Sequence, residues 1–367
     1  MNEWYSINNI NGLDSPALVV YPKRVKQNIA LALQMIDNAN KLRPHVKTNK
    51  MAEVCQLMMN AGISKFKCAT IAEAEMLAQI SAPDVLLAYQ PVGPKMERLI
   101  KLIKAYPNTA FSCLIDNEGT ALQLSRLCEQ NNVLLPLFID VNSGMNRTGI
   151  APQKVLNLLQ TIKDYKGIQI AGFHAYDGHI RDSDIAVRQA KSDAAFKSIE
   201  TLWTQASALF QHSLKIIMGG TPTFPTHVHR EGVECSPGTF VFWDWGYKHA
   251  LPDEPFEYAA LLISRVVSII DEQTICTDLG HKSVAAENPL PRVYFLNAPD
   301  VIPIAQSEEH LILQVPADNQ YKVGDVLYGV PVHICPTVAL YDKAYTIENN
   351  QVTGDWEVIG RNRSINI

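Results

Sequence analysis

The sequence predicts a (β/α)8 barrel followed by a mainly β domain. From about residue 16 to residue 245, apolar strand-like runs alternate with helix-like stretches, the order expected of a parallel sheet flanked by helices. Beyond about residue 250 the rhythm changes, and strand-like segments follow one another with few helices between them. The expected domains are therefore a barrel over 16–245 and a β domain built from 1–15 plus 246–367. An open doubly wound sheet is the alternative to a closed barrel, because both share the same alternation.

Taken in order, Ala17–Val20 reads as the first barrel strand. Pro22 then opens a helix whose apolar face is Val25, Ile29, Ala32, Leu33 and Ile36, at helical spacing. Further strand-like runs stand at 43–47, 64–69, 84–88, 109–114, 134–140, 168–174 and 214–218, which completes eight. Thr70-Ile71-Ala72-Glu73 has the form of a capping box and predicts a helix start there. In the second part, 260–267, 274–277 and 310–315 read as strands. No internal repeat is visible.

Composition narrows the function classes. Hydrophobic residues at 47% and charged residues at 19% fit an ordinary globular protein with a large core. A net charge of -5 and a pI near 6.1 give no electrostatic case for nucleic acid or an anionic membrane as partner. No apolar run approaches the ~20 residues that span a bilayer, and Met1-Asn2-Glu3-Trp4 lacks the basic and apolar regions of a signal peptide. The seven scattered cysteines form no disulfide framework, so a reducing cytoplasm is the expected location. Cys55, Cys68, Cys113, Cys128, Cys235 and Cys276 read as simple thiols; Cys335 differs because His333 stands beside it.

Two motifs carry chemistry. Arg43-Pro44-His45-Val46-Lys47-Thr48-Asn49-Lys50 places a lysine at the end of the expected second strand, where barrel active sites lie, and a buried lysine beside other cations is a competent Schiff-base nucleophile. His333-Ile334-Cys335 reads as half of a metal site, with imidazole and thiolate on one face of an extended segment. Met218-Gly219-Gly220-Thr221-Pro222-Thr223 follows the expected eighth strand and suits a phosphate, with glycine N–H groups and a threonine hydroxyl as donors; a plain Gly-Pro turn is the alternative. Glu234-Cys235-Ser236-Pro237-Gly238-Thr239 offers a second turn with backbone donors. His227-Val228-His229 is a rival metal pair, read instead as barrel-edge or surface histidines.

These motifs occur in one order together with Asp140–Gly149, which contains Gly144-Met145-Asn146-Arg147-Thr148-Gly149, and with Gly172–His179. Over almost the whole chain they resemble the D-threonine aldolase and D-serine dehydratase group of pyridoxal-phosphate enzymes, whose fold is the alanine-racemase-like barrel plus β domain (fold type III). The resemblance implies pyridoxal 5'-phosphate held on Lys47, with its phosphate at Gly219, Gly220, Thr221, Gly238 and Thr239. It implies Arg147 near the cofactor's phenolic oxygen, the Tyr176 ring packed against the cofactor, and a divalent metal on His333 and Cys335. That donor pair suits zinc better than manganese. Tyr176-Asp177-Gly178-His179 looks more like the aldolases than the dehydratases. Asp278–Lys282 is similar to a family segment, with no role assigned. Relatives commonly carry histidine two residues after the lysine, where this chain has Asn49, which cannot act as a base near neutral pH.

The expected activity is a metal-assisted lyase on D-β-hydroxy amino acids, first an aldolase that cleaves D-threonine to glycine and an aldehyde, with His179 as candidate base. Packing of His179 against the cofactor ring is the alternative. Dehydration of D-serine or D-threonine is the second reading. An amino-acid racemase is the third, and a non-catalytic cofactor carrier stands outside the enzyme class. A homodimer is implied by the resemblance.

Overall fold

The computed structural model describes residues 3–367. Met1 and Asn2, which belong to the expected β domain and to the N-terminal segment expected to lack a signal peptide, lie outside the described residues. The chain divides into two compact units. One comprises Ala32–Lys47, Cys55–Gly238 and Asn362–Ile367, and the other Met1–Leu31, Thr48–Val54 and Thr239–Arg361.

The second unit carries strand β1, Ala17–Val20. The first unit is built on seven strands in sequence order: β2 Lys65–Cys68, β3 Asp84–Leu87, β4 Ala110–Ile115, β5 Leu135–Asp140, β6 Ile168–Ala175, β7 Lys215–Met218 and β8 Val233–Glu234. All pair in parallel. The two edges are joined by segment 42–46. Leu42 bridges Cys235 on one side and His45 bridges Lys67 on the other. Its backbone donates from Arg43 to Cys235 at 2.8 Å and from Val46 to Lys67 at 2.8 Å, and Lys67 donates back to Pro44 at 2.9 Å. The closed form therefore holds over the open sheet.

Two barrel strands differ from expectation. Ala17–Val20 is not one of them; it pairs antiparallel with β9 (Ala260–Asp271) in the other sheet. A fully buried run of four apolar residues fits either sheet, and its periodicity cannot decide between them. Its place is taken by β8, whose two residues are too short to leave a pattern. Segment 43–47 also makes only isolated bridges, and Lys47 lies in the turn beyond His45.

The barrel interior is layered. At the bottom, Arg43, 1% exposed, forms a fork on Asp84 at 2.7 and 2.9 Å and donates to Glu234 at 2.7 Å. Lys65 reaches Glu234 from the other side. Above it Leu86, Leu114, Phe138 and Ile217 form an apolar layer, with Ala88 and Ala171 against it. One extra residue in β6 shifts its register on β5, so that Leu137 faces Ile170 but Phe138 faces Gly172 and Asp140 faces His174. Gly172 has φ +151°, and a Cβ there would lie 2.0 Å from the Lys215 carbonyl oxygen.

The helices follow local rules. The side chain of Thr70 caps Ile71–Gln79 by accepting from the Glu73 N–H at 3.1 Å, as its capping box predicts. Pro22 opens Pro22–Ile36. No helix among the described residues is long and apolar enough to cross a membrane, and none of the seven cysteines forms a disulfide, all but Cys335 being buried.

The second unit is mainly β, as expected. After β9 come β10 Thr274–Thr277, β11 Val293–Phe295, β12 Ile302–Gln306, β13 Leu311–Gln314, β14 Val326–Pro331, β15 Lys343–Glu348 and β16 Gln351–Glu357. With β1 they form one sheet, in which β9 pairs with β1, β10 and β14. Its core gathers Val19, Leu261, Ile263, Val330 and Ile347. Asp278 is structural here, accepting from the Ser264 hydroxyl and the Arg265 N–H, both at 2.8 Å.

Removing Arg43 would leave the Glu234 carboxylate buried with its lysine neighbours only. Arg43→Leu is expected to lower the unfolding free energy by about 3 kcal/mol or more, measured by urea denaturation. A loss below ~1 kcal/mol would mean that the bottom layer is worth no more than a surface ion pair.

Candidate active site

The top layer of the barrel interior is polar and continuous. Lys67 on β2 is 3% exposed, and its Nζ lies 3.2 Å from Nε2 of His174 on β6. Nδ1 of His174 lies 2.7 Å from Asp140 on β5, whose other oxygen accepts from Gln90 at 2.9 Å. The carboxylate accepts only, so Nδ1 carries the proton and Nε2 is free to accept from Lys67. Burial, then the charge of Lys67, lowers the His174 pKa and keeps the ring neutral. Burial works against ionisation of Asp140, but hydrogen bonds from His174, Thr148 and Gln90 hold it below the usual carboxylate range.

Tyr176, just past β6, is the centre of this mouth. Its ring is packed where a Cβ on Gly178 or Gly220 would stand: a Gly220 Cβ would lie 2.6 Å from Cε2. Three cations surround it, Arg147 Cζ at 5.1 Å, Lys67 Nζ at 5.7 Å and Lys47 Nζ at 6.0 Å from the ring centroid. Arg147 is set there by a folded loop. The Asn142 side chain accepts from the N–H groups of Gly144 and Asn146, both at 3.1 Å. Gly144 and Gly149 take φ +117° and +97°, and a Cβ on Gly149 would lie 2.8 Å from the Asn142 nitrogen. Those two glycines explain the spacing of the Gly-x-x-Arg-x-Gly run. His179 is exposed, with its ring over Gly144.

Gly219 (φ +88°) and Gly220 turn into a short 3-10 helix over Thr221–Thr223. The second predicted turn is bonded to the first. Ser236 N–H donates to the Gly219 carbonyl at 2.7 Å, and Gly238 N–H donates to the Thr221 hydroxyl at 3.1 Å. Beside them the Ser236 hydroxyl is buried with no hydrogen-bond partner among the described residues. An unpaired buried hydroxyl costs about 1–3 kcal/mol, which an anionic ligand would recover. A turn of glycine amides, an unpaired hydroxyl and three cations form an anion site beside the Tyr176 ring, a donor set that fits a phosphorylated aromatic cofactor.

Behind this turn stands His227, expected at the barrel edge or the surface and found fully buried. Nε2 donates to Asp177 at 2.8 Å, and Asp177 also accepts from Thr223 at 2.7 Å. Arg230 donates to Nδ1 at 2.7 Å, which fixes the tautomer. The ring also supports Gly219, where a Cβ would lie 3.2 Å from it. His227 is thus a structural brace, not a ligand. Lys67, His174, Asp177 and Ser236 are the residues that sequence reasoning missed.

In the second unit, His333 is extended and precedes the short helix Ile334–Val338, so Cys335 lies in its first turn rather than on an extended segment. Buried Asp244 pins this corner by accepting from the Ile334 N–H at 3.1 Å, and burial pushes its pKa up to about 6. Glu287 holds Nδ1 of His333 at 2.6 Å. The Cys335 sulfur lies 3.1 Å from the Thr48 hydroxyl and 3.4 Å from that of Thr239. Burial alone would lower the His333 pKa, but the Cys335 sulfur and then Glu287 push it up to about 9. Imidazole and thiolate with an orienting carboxylate are a donor set that fits a divalent metal, which would take the place of that proton. Among the described residues no third such side chain converges with them into a closed cage. Asn49 serves its own turn, accepting from the Met51 N–H at 3.1 Å.

Comparison with known proteins is consistent with both units. Residues 20–243 match the family model "Alanine racemase, N-terminal domain", and residues 259–347 match "Putative serine dehydratase domain". The chain is similar to D-threonine aldolase of an Arthrobacter species, 25% identical over 359 residues, covering 95% of this chain and 93% of that protein. It is similar to 3-hydroxy-D-aspartate aldolase of Paracoccus denitrificans (strain Pd 1222), 25% identical over 381 residues, covering 98% and 96%. A 25% match over 240 residues links it to D-threo-3-hydroxyaspartate dehydratase of a Delftia species, covering 63% and 62%. The crystal structure of D-threonine aldolase from Filomicrobium marinum superposes with a TM-score of 0.90 over 98% of this chain and 99% of that one, at 23% identity, so it is the fold that is shared. With its N-terminal model covering more than half of the residues, the chain belongs to the alanine racemase N-terminal domain family, in the group of D-threonine aldolases and D-serine dehydratases.

Proposed function

We propose that this protein is a pyridoxal-phosphate-dependent, metal-assisted lyase that cleaves D-β-hydroxy amino acids, D-threonine first among them, to glycine and an aldehyde. The observation that carries this reading is the ring of three cations about Tyr176 beside the bonded turns at Gly219–Thr221 and Ser236–Gly238. The similarity to aldolases over nearly the full length supports the choice of reaction.

When bound, pyridoxal phosphate supplies an electron sink for the charge left at Cα, and the metal supplies a Lewis acid for a β-hydroxyl. The chain's own residues do the rest. Lys47 holds the cofactor covalently through its amine. The amides of Gly219, Gly220 and Thr221, with the hydroxyl of Ser236, hold its phosphate, and Tyr176 packs against its ring. Arg147 pairs with the phenolic oxygen. His333 and Cys335 hold the metal, and Glu287 orients the imidazole. His179 is the residue assigned to take the proton of the β-hydroxyl. Dehydration is the competing reading, favoured by the match of residues 259–347 to a serine dehydratase domain. The same donors serve it, with Lys47 taking the α-proton.

Product analysis on D-threonine with pyridoxal phosphate, before and after chelation, separates the two. Acetaldehyde and glycine, lost by more than ~100-fold on chelation or in His333→Ala, are expected. 2-Oxobutanoate with ammonia would overturn the aldolase reading and remove His179 from its role.

Gly220→Ala drives a methyl into the Tyr176 ring. It is expected to weaken cofactor binding by about tenfold or more, read from the visible absorbance that Lys47→Ala should abolish. An unchanged affinity would mean that the ring of Tyr176 does not pack against the cofactor.

A further inference from the structure

Lys67 has no part in that scheme, yet its position is costly. It pairs in register with His45, two residues before Lys47, so its strand neighbours the segment that carries the cofactor lysine. It pairs in register with Leu86 of the apolar layer on its other side and is 3% exposed, a position that a methionine would fill without burying a charge. His174 Nε2 is its one hydrogen-bond acceptor among the described residues, at 3.2 Å, and the Tyr176 ring is 5.7 Å away. His174 in turn is tied to Asp140, so the floor of the mouth is an amine–imidazole–carboxylate chain with hydrogen-bonding capacity to spare at the amine end.

We propose that Lys67 is a charge-setting residue of the cofactor site: its amine gains and loses a proton beneath the mouth and so governs the protonation of the Lys47 nitrogen when that nitrogen holds the cofactor. The inference rests on Lys47 carrying pyridoxal phosphate.

Every element packed around Lys67 bears on its charge. Burial, then Lys47, pulls its pKa down to about 7; Asp140 and Asp177 pull it up, and Arg43 pulls it down. His174 between Lys67 and Asp140 stays neutral. Near neutral pH the floor therefore switches between a cation and a neutral amine. A cation close to a second nitrogen disfavours its protonation, more strongly where water is excluded.

The test is a pH titration of the visible absorbance of the cofactor-loaded protein. Lys67→Met, and Lys67→Gln as a second neutral variant should the first fold poorly, are expected to move the midpoint up by about one pH unit. Lys67→Arg, charged at every pH, is expected to move it down. Midpoints that stay together in all four proteins would overturn the proposal. A wild-type protein with no visible band, or a band that persists in Lys47→Ala, would instead overturn the reading of Lys47 and the proposal with it. The ligand-free protein provides a second arm. A folded-state pKa held below the unfolded value near 10.5 means that the cost of the buried charge is largest below about 7 and fades as pH rises. Lys67→Met should therefore raise the melting temperature more at pH 6 than at pH 9; an equal gain at both would show that Lys67 does not titrate there.

Discussion

Closure of the barrel by segment 42–46 is the constraint on which the rest depends. Between β2 and β8 the ring has no regular strand, only two bridges and a few backbone hydrogen bonds. Arg43 makes that seam strong. Its planar fork takes both oxygens of Asp84, and its remaining Nε–H takes Glu234, so side chains of three separate segments are fixed at one point. Lys47 lies four residues beyond that anchor, in the turn where the segment leaves the barrel. An anchored base and a free end are what a covalent attachment point needs, since the amine must be held in place without being used up by other bonds.

The interior is apolar only in the middle. Leu86, Leu114, Phe138 and Ile217 separate two charged layers, one closed on itself and one facing the mouth. The bottom layer satisfies its charges internally. The top layer does not: Lys67, Lys47 and Arg147 crowd one aromatic ring, while Asp140 and Asp177 are each bound up with a buried histidine. The surplus of positive charge at the mouth is thus built into the fold itself, and it suits an anionic ligand.

Much of this was legible in the sequence, and the failures have physical causes. The alternation of elements, the capping box at Thr70 and the change to β structure past residue 250 all rest on local chemistry. Ala17–Val20 could not be assigned to a sheet because a run buried on all sides carries no face preference. Lys67 escaped notice because Lys65-Phe66-Lys67-Cys68 looks like a strand with an exposed basic face, whereas in this barrel both lysines turn inward and Phe66 is fully buried. The full burial of His227 leaves no local trace in the sequence, because its partner Asp177 is fifty residues away. The Ser236 hydroxyl lies in a turn whose sequence points to backbone donors, and Cys335 lies in a helix that its neighbours Ile334 and Pro336 do not reveal.

The extra residue in β6 has a wider meaning. Side chains of a strand alternate between faces, so one inserted position exchanges the faces of everything downstream. In β6 that exchange directs His174 inward to meet Asp140 and sends Phe173 outward into the layer beneath the helices. The imidazole of the mouth therefore owes its orientation to a count, odd rather than even, and not to any property of histidine. A lineage could gain or lose this amine–imidazole–carboxylate floor by the insertion or deletion of a single codon near position 171, while every residue of the motif stayed the same.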